Sequence, residues 1–272
     1  MSTTDKKVVL VTGAGQGIGR AIANHFHSQG YQVVATDYND SILEDLKNVE
    51  GYLTAKHNVA SIDDAKAVAE RIKSELGRLD IIVNNAGINA YLPVVEVNPQ
   101  RIVDGFMVNT LGPLFNVNAC LDLLIESKGT IVNISSESAT FRAPFQFYQS
   151  TKQALECLSD VMRRELGIYD VHVVTVRPGA IATEMTNTNN VPVNPVENSR
   201  FDKAFKNFCK ELVNSMPKKK FTVAQAAEHT FRAATDPSRP VMYKYNNLFK
   251  FKVIAKLPAK LIDSQIIKLL KS

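Results

Sequence analysis

The chain has 272 residues, 45% of them hydrophobic, which suits one well-buried α/β core better than two. Its net charge of +5 sits at one end. Residues 244–272 hold seven lysines and one aspartate, so the rest is close to neutral, which argues against a nucleic-acid partner. No apolar run approaches bilayer length, no His/Cys cluster has metal-ligand spacing, and three scattered cysteines (Cys120, Cys157, Cys209) read as reduced thiols.

The polar lead MSTTDKK passes directly into Lys7–Thr12, a first strand, with no secretory pattern, so a cytoplasmic protein is expected. Thr12–Gly19 (TGAGQGIG) then opens a helix over Gly17–Gln29. Glycines between a strand and a helix suit a phosphate cradle, because the free N–H groups and the helix dipole favour an anion. Gly13 permits the tight turn, Gly17 a close approach to a pyrophosphate, and Gly19 packing of the helix on the sheet. Tyr31–Asp37 is a second strand ending in Asp37, eighteen residues after Gly19, where a carboxylate can hold the ribose hydroxyls of NAD. A 2′-phosphate there would meet like charge, a repulsion of about 4 kcal/mol at 4 Å and an effective dielectric near 20. Gln16 supplies no cation to offset it. NAD(H) is therefore expected over NADP(H).

Tyr52–Val59 reads as a weaker third strand, ending at Asn58 and Val59 near where adenine should lie. Ile62–Leu76 is a helix, with Ser61 as N-cap and Asp63 and Asp64 in its first turn. Leu79–Asn84 is a strand followed by Asn85, Ala86 and Gly87, small enough to let a cofactor pass. Pro99–Ser127 is a long helical stretch expected to bend near Pro113. Thr130–Ser135, Phe147–Leu166 and Val171–Arg177 read as strand, helix and strand. Residues 187–195 read as a loop, within an insert spanning about 184–220 that includes a helix over Phe201–Met216. Ala224–Ala234 is a further helix and Val241–Tyr243 a short last strand. Apolar strands separated by helices indicate a parallel sheet covered on both faces, with a catalytic domain over 1–243 and a basic amphipathic extension over 244–272. In that extension Leu261, Ile262, Ile266, Leu269 and Leu270 form a stripe among lysines. Packing on the substrate cleft or a subunit interface is the first reading of it, and peripheral membrane contact the second.

Tyr148 and Lys152 stand four apart in FYQSTKQAL and share one helix face. A neighbouring ammonium favours the phenolate, which would make Tyr148 a general acid/base for an alcohol oxygen. Phe141, Phe145 and Phe147 precede them, as pocket walls or as ordinary packing. The five histidines, His57 among them, read as surface or satisfied core groups.

Together TGAGQGIG, NNAG at Asn84–Gly87, Asn109 in MVNTLG, NISS at Asn133–Ser136, YQSTK and RPGAIAT at Arg177–Thr183 resemble the short-chain dehydrogenase/reductase family over about residues 5–185. The resemblance implies a single-domain Rossmann-type doubly wound fold with a seven-stranded parallel sheet flanked by helices, working on a carbonyl or alcohol with NAD(P)(H). It implies Tyr148 as acid/base, Lys152 as its partner and nicotinamide-ribose ligand, and Asn109 as holder of a water in a proton relay. Ser136 would hydrogen-bond the substrate oxygen. Gly13, Gln16, Gly17, Ile18, Gly19, Asp37, Asn58, Val59, Asn85, Ala86 and Gly87 would line the cofactor, with Pro178, Gly179, Ile181 and Thr183 along the nicotinamide. Ser136 lies twelve residues before Tyr148 where thirteen is common, a spacing shared with hydroxysteroid- and retinol-type members. Ser135 would restore thirteen, but Ser136 aligns better, and only one of the two can face the substrate. Asn58 stands where many members have Asp.

The resulting expectation is an enzyme interconverting an apolar (steroid-, retinoid- or lipid-like) secondary alcohol and its ketone, as a homodimer or homotetramer. The alternatives are a non-catalytic NAD(H)-sensing protein and a reductase of a small polar or carrier-bound carbonyl.

Overall fold

A computed structural model describes residues 6–183, 193–215, 217, 220–246 and 257–272. Seven strands make one sheet: β1 Val8–Thr12, β2 Gln32–Asp37, β3 Tyr52–Lys56, β4 Ile81–Asn84, β5 Thr130–Ile134, β6 His172–Pro178 and β7 Met242–Tyr245. Their order is β3-β2-β1-β4-β5-β6-β7, and every adjacent pair is parallel. The order reverses direction beside β1, so a crevice opens at the carboxyl ends of β1 and β4.

Strand alternation sorts the core into two layers. Val9, Val11, Val33 and Val83 point to one face, against Ile22, Ala23 and Phe26 of α1 (Gly17–Ser28) and Ala226, Ala227, Ala233 and Ala234 of α8 (Val223–Thr235). Val8, Leu10, Val34 and Ile82 point to the other. There they meet α2 (Ile62–Leu76), α4 (Gly112–Ala119), α5 (Leu121–Ser127) and α6 (Tyr148–Leu166). Each such side chain contributes about 1.5–3 kcal/mol when fully buried, so a one-residue slip in any strand would exchange the layers and forfeit many of these at once.

The boundaries of α2 match the expectation, because its caps are local: the Ser61 side chain accepts from Asp64 N–H, and Gly77 closes the helix at φ 70°. The long helical stretch differs. It divides into α3 (Pro99–Phe106), a π turn (Met107–Leu111), α4 and α5. The 65° bend falls between Ala119 and Leu121, not at Pro113. Pro113 sits at the start of α4, where its missing N–H is tolerated, and the widened turn just before it absorbs the mismatch, with Gly112 N–H donating to Met107 O.

α7 (Asp202–Ser215) and α9 (Ala259–Lys271) lie against each other at the carboxyl edge. The amphipathic tail is thus helical and packs on its own chain. Residues 184–192, most of the expected loop, and 247–256, including Lys256, fall outside the described residues. Among the described residues no single helix is long and apolar enough to cross a membrane.

One close approach is decisive for the α3–α6 contact. A Cβ on Gly105 would stand 1.9 Å from Cε2 of Phe147. Gly→Ala inside a helix ordinarily gains roughly 1 kcal/mol. Here Gly105→Ala should instead destabilise by about 1–3 kcal/mol, the scale of overpacking, and lower the melting temperature by several degrees. Calorimetry of the variant checks the sign.

Candidate active site

Every candidate cofactor or catalytic residue named above except Asn109 lines one cleft of about 1300 Å3. An ordinary small-ligand pocket is about 300–1,000 Å3, so this cleft has room for two ligands end to end.

The dinucleotide end is built by contacts between strand ends. Thr12 Oγ1 accepts from Asn85 N–H and Ala86 N–H at 3.1 Å each, and the Asn85 amide donates to Thr12 O at 3.0 Å. Asn85 therefore braces the β1 and β4 ends together, with Ala86 and Gly87 beside it on the cleft wall. The glycine loop folds tightly enough that a Cβ on Gly19 would fall 1.9 Å from Gly13 O. Asp37 accepts from Gly15 N–H at 3.0 Å and from Asn39 N–H at 3.1 Å, one bond per oxygen. Each oxygen keeps further acceptor capacity. Arg20 is committed elsewhere, to Ala14 O, Ile42 O and Asp45. These features (free first-turn N–H groups, an unoccupied stretch of Asp37 acceptor capacity and a long cleft) fit a dinucleotide.

The chemical end is built by α6 and the β5 end. Lys152 is 2% exposed, donates to Ile134 O at 2.8 Å, and its Nζ lies 5.6 Å from the centre of the Tyr148 ring. Burial pushes Lys152 down to about 8, against the attraction of Glu156. Tyr148 runs opposite to the expectation of an acidified phenol. Burial pushes it up to about 12, opposed by a hydrogen bond with Ser136. Sequence reasoning weighed the neighbouring ammonium and left out desolvation, which is the larger effect here.

The two serines separate as strand geometry requires. Ser136 lines the cleft, bonded to Ser138 as well as to Tyr148. The Ser135 hydroxyl donates to Glu156 Oε1 at 2.5 Å. Glu156, one turn beyond Lys152, is also bridged by Arg177 through Nε (2.9 Å) and Nη2. This Ser135–Glu156–Arg177 unit ties β5, α6 and β6 together behind Lys152. Sequence reasoning missed it because its members are 21 residues apart in pairs and form no motif.

Asn109 is fully buried behind the cleft wall. Its Oδ1 accepts from Ile88 N–H at 2.8 Å, and its Nδ2 donates to Ile88 O (2.8 Å) and Thr151 Oγ1 (3.0 Å). Both amide hydrogens are therefore taken. A Cβ on Gly87 would stand 3.2 Å from Asn109 Oδ1, a tight approach, and 3.6 Å from Lys152 Nζ, an ordinary contact. Of the phenylalanines, Phe141 lines the cleft, whereas Phe145 and Phe147 are buried in packing. His57 is buried, with Nδ1 3.2 Å from Thr36 Oγ1, and burial pushes it down to about 4, so it is neutral. Asn58 and Val59 line the cleft beside it, and Asn58 Oδ1 accepts from Ala60 N–H at 3.1 Å.

Comparison with known proteins agrees with this geometry. A family model described as short chain dehydrogenase matches residues 7–193. The chain is 36% identical over 188 residues to the short-chain dehydrogenase PC-15 of Penicillium crustosum, covering 68% of this chain and 69% of that one. It is 34% identical over 190 residues to 11-beta-hydroxysteroid dehydrogenase 1A of Arabidopsis thaliana, covering 66% of this chain and 54% of the relative. The crystal structure of a short-chain dehydrogenase from Streptomyces avermitilis superposes with a TM-score of 0.77 at 28% identity, covering 98% of this chain and 96% of that one.

Lys152 yields a stability test. Because burial lowers its folded-state value from 10.5 to about 8, the folded protein binds fewer protons than the unfolded chain between those values. The resulting penalty is full below pH 8 and vanishes as pH rises past 10.5. Lys152→Met should therefore be more stable than wild type at pH 7, by about 3 kcal/mol at most, with the difference closing toward pH 10.5. Paired denaturation curves across that range measure it.

Proposed function

This chain belongs to the short-chain dehydrogenase/reductase family, oxidoreductases that interconvert alcohols and ketones with NAD(P), and we propose that it prefers NAD(H) and acts on an apolar secondary alcohol or its ketone. The observation that carries the reading is convergence. Tyr148, Ser136 and Lys152 meet at one end of a single cleft whose other end is the glycine loop and Asp37.

In this reading Gly13, Gln16, Gly17, Ile18 and Gly19 hold the pyrophosphate, and Asp37 the adenosine ribose. Asn58 and Val59 flank the adenine, and Asn85, Ala86 and Gly87 form the wall beside it. Pro178, Gly179, Ile181 and Thr183 face the nicotinamide, which supplies the hydride acceptor or donor when bound. Ser136 holds the substrate oxygen. Tyr148 takes the hydroxyl proton in oxidation and returns it in reduction. A phenol held near 12 is poised as the acid. Lys152 stabilises the phenolate when Tyr148 acts as base and holds the nicotinamide ribose. The family resemblance places Asn109 in the relay, and its side-chain amide already holds Ile88.

Supports for NAD(H) are the Asp37 carboxylate and the full commitment of Arg20. Supports for an apolar substrate are the Phe141, Phe208 and Leu212 walls near Tyr148 and the 12-residue Ser136–Tyr148 spacing. The cysteines Cys120, Cys157 and Cys209, none of them in a disulfide, suit a cytoplasmic setting. We assign assembly as a homodimer or homotetramer to the family pattern. Leu257, Leu261 and Ile267 stay exposed beside the α9 lysines, which keeps peripheral membrane contact as a secondary reading.

Two measurements test the proposal. Tyr148→Phe should retain the fold and NADH binding while turnover falls on the order of 10²-fold or more; near-wild-type turnover would sink the assignment. Wild type should show the higher kcat/KM with NAD(H), and Asp37→Ser should move the ratio toward NADP(H) by about tenfold or more, since the repulsion removed is several kcal/mol. A wild-type preference for NADPH would show that Asp37 does not face the ribose.

A further inference from the structure

The family match ends at residue 193, yet the substrate end of the cleft is closed by elements beyond it. α7 brings Phe208 and Leu212 to the cleft, and α9 brings Gln265, Ile266 and Leu269. At about 100° per residue, Gln265, Leu269, Ile262, Ile266 and Leu270 fall in that order across one face of α9. The face is used in two ways. Its far edge, Leu270, packs into the aromatic cluster of Phe145, Phe205, Phe208 and Cys209. The rest of it, through Gln265, Leu269 and Ile266, borders the cleft that holds Tyr148 and Ser136.

The helix is held in that orientation by directed contacts as well as by packing. The last carbonyls of a helix lack intrahelical partners. Here α7 supplies donors to two of them: Asn207 Nδ2 to Leu270 O at 3.2 Å and Lys203 Nζ to Lys271 O at 3.4 Å. Lys203 also places a positive charge at the negative end of the α9 dipole. α7 is in turn anchored to the body, because Glu96 accepts from Ser199 Oγ at 2.5 Å and from Arg200 N–H at 3.3 Å just before the helix begins. A chain of contacts thus runs from the catalytic domain through α7 to α9.

We propose that α9 is the specificity wall of the substrate site, with Ile266 and Leu269 fixing how long an apolar substrate the cleft accepts. The inference rests on the apolar-alcohol reading above. Small alcohols fill only the space beside Ser136 and Tyr148 and do not reach α9. Longer ones extend along the cleft and bury their far carbons against Leu269 and Ile266.

The test uses binding rather than turnover, on the full chain. 2-Butanol, 2-octanol and 2-dodecanol are titrated into the protein with NADH, a pairing of two reduced partners that cannot react, and followed by NADH fluorescence. In wild type, affinity should rise with chain length. Leu269→Ala and Ile266→Ala should each weaken 2-dodecanol by about tenfold, the scale of a few methylenes of lost contact, and leave 2-butanol within about twofold. Leu269→Trp should fill the far end and exclude 2-dodecanol while still admitting 2-butanol. Ile267→Ala, on the outer face of the same helix, should change neither. The proposal is overturned if wild type does not favour the longer alcohols, if the variant profiles superimpose on wild type, or if Ile267→Ala acts as strongly as Leu269→Ala. Turnover of the same alcohols with NAD reports separately on the reaction. Length-dependent binding without oxidation would count against the reaction class and leave the wall standing. Oxidation with unaltered length dependence in the variants would remove the wall alone.

Discussion

Parallel pairing of all seven strands is the constraint on which the rest depends. It sends every carboxyl end to the same edge, so the glycine loop after β1, Asp37 at the end of β2, Asn58 after β3, Gly87 after β4, Ser136 after β5 and Gly179 after β6 become neighbours although they span most of the chain. Parallel strands also need covering on both faces. The helices that provide the cover are the same ones that carry Tyr148, Lys152 and Asn109. Core and site therefore share their structural elements, and a change in either is felt in the other.

Burying charge and amide groups at such an edge is expensive unless each group has a partner. Lys152 has Ile134 O and the Glu156 carboxylate within its field, and Glu156 is balanced by Arg177 and Ser135. Deeper in the core a polar seam crosses the sheet. Asn116 donates to Asn84, Asn84 to Asn133, Asn133 to Ser159 and Ser159 to Leu155 O, all at 2.7–2.9 Å. It links α4, which continues the π turn holding Asn109, to α6, which holds Tyr148 and Lys152. An apolar seam of the same shape would be cheaper to bury, but would not fix the relative register of the two helices as hydrogen bonds do. The two ends of the cleft thus differ in construction: the dinucleotide end uses backbone groups and glycines, the chemical end buried side chains.

The aromatic cluster around Phe145 gives the cleft its roof. Phe145 sits at φ 57°, a left-handed conformation uncommon for an aromatic residue, and its ring meets Phe201, Phe205 and Phe208 edge to face. That packing compensates a backbone conformation costing roughly 1–3 kcal/mol. The segment leading into Tyr148 is therefore held by the α7 roof, so the roof and Tyr148 are coupled through three residues of chain.

Periodicity determined the parallel α/β architecture, motif spacing the glycine loop, Asp37 and the Tyr148–Lys152 pair, and the family resemblance Ser136 and the Pro178–Thr183 segment, whereas Ile88, Tyr91, Met107 and Gln146, which also line the cleft, carry no sequence signal. These signals are local, because a glycine turn, a Ser61 cap or a Tyr148–Lys152 helical pair is defined by neighbours in sequence. Tertiary structure decided the rest. It moved the helix bend from Pro113 to Cys120, because the π turn absorbs the proline. It raised Tyr148 rather than lowering it, because desolvation depends on what surrounds the phenol from every side. It committed the Asn109 amide to Ile88, and it set Glu156 between Ser135 and Arg177. It also brought α9 onto α7 and the cleft, a choice the amphipathic stripe left open, because an apolar face states that it must be covered and not by what.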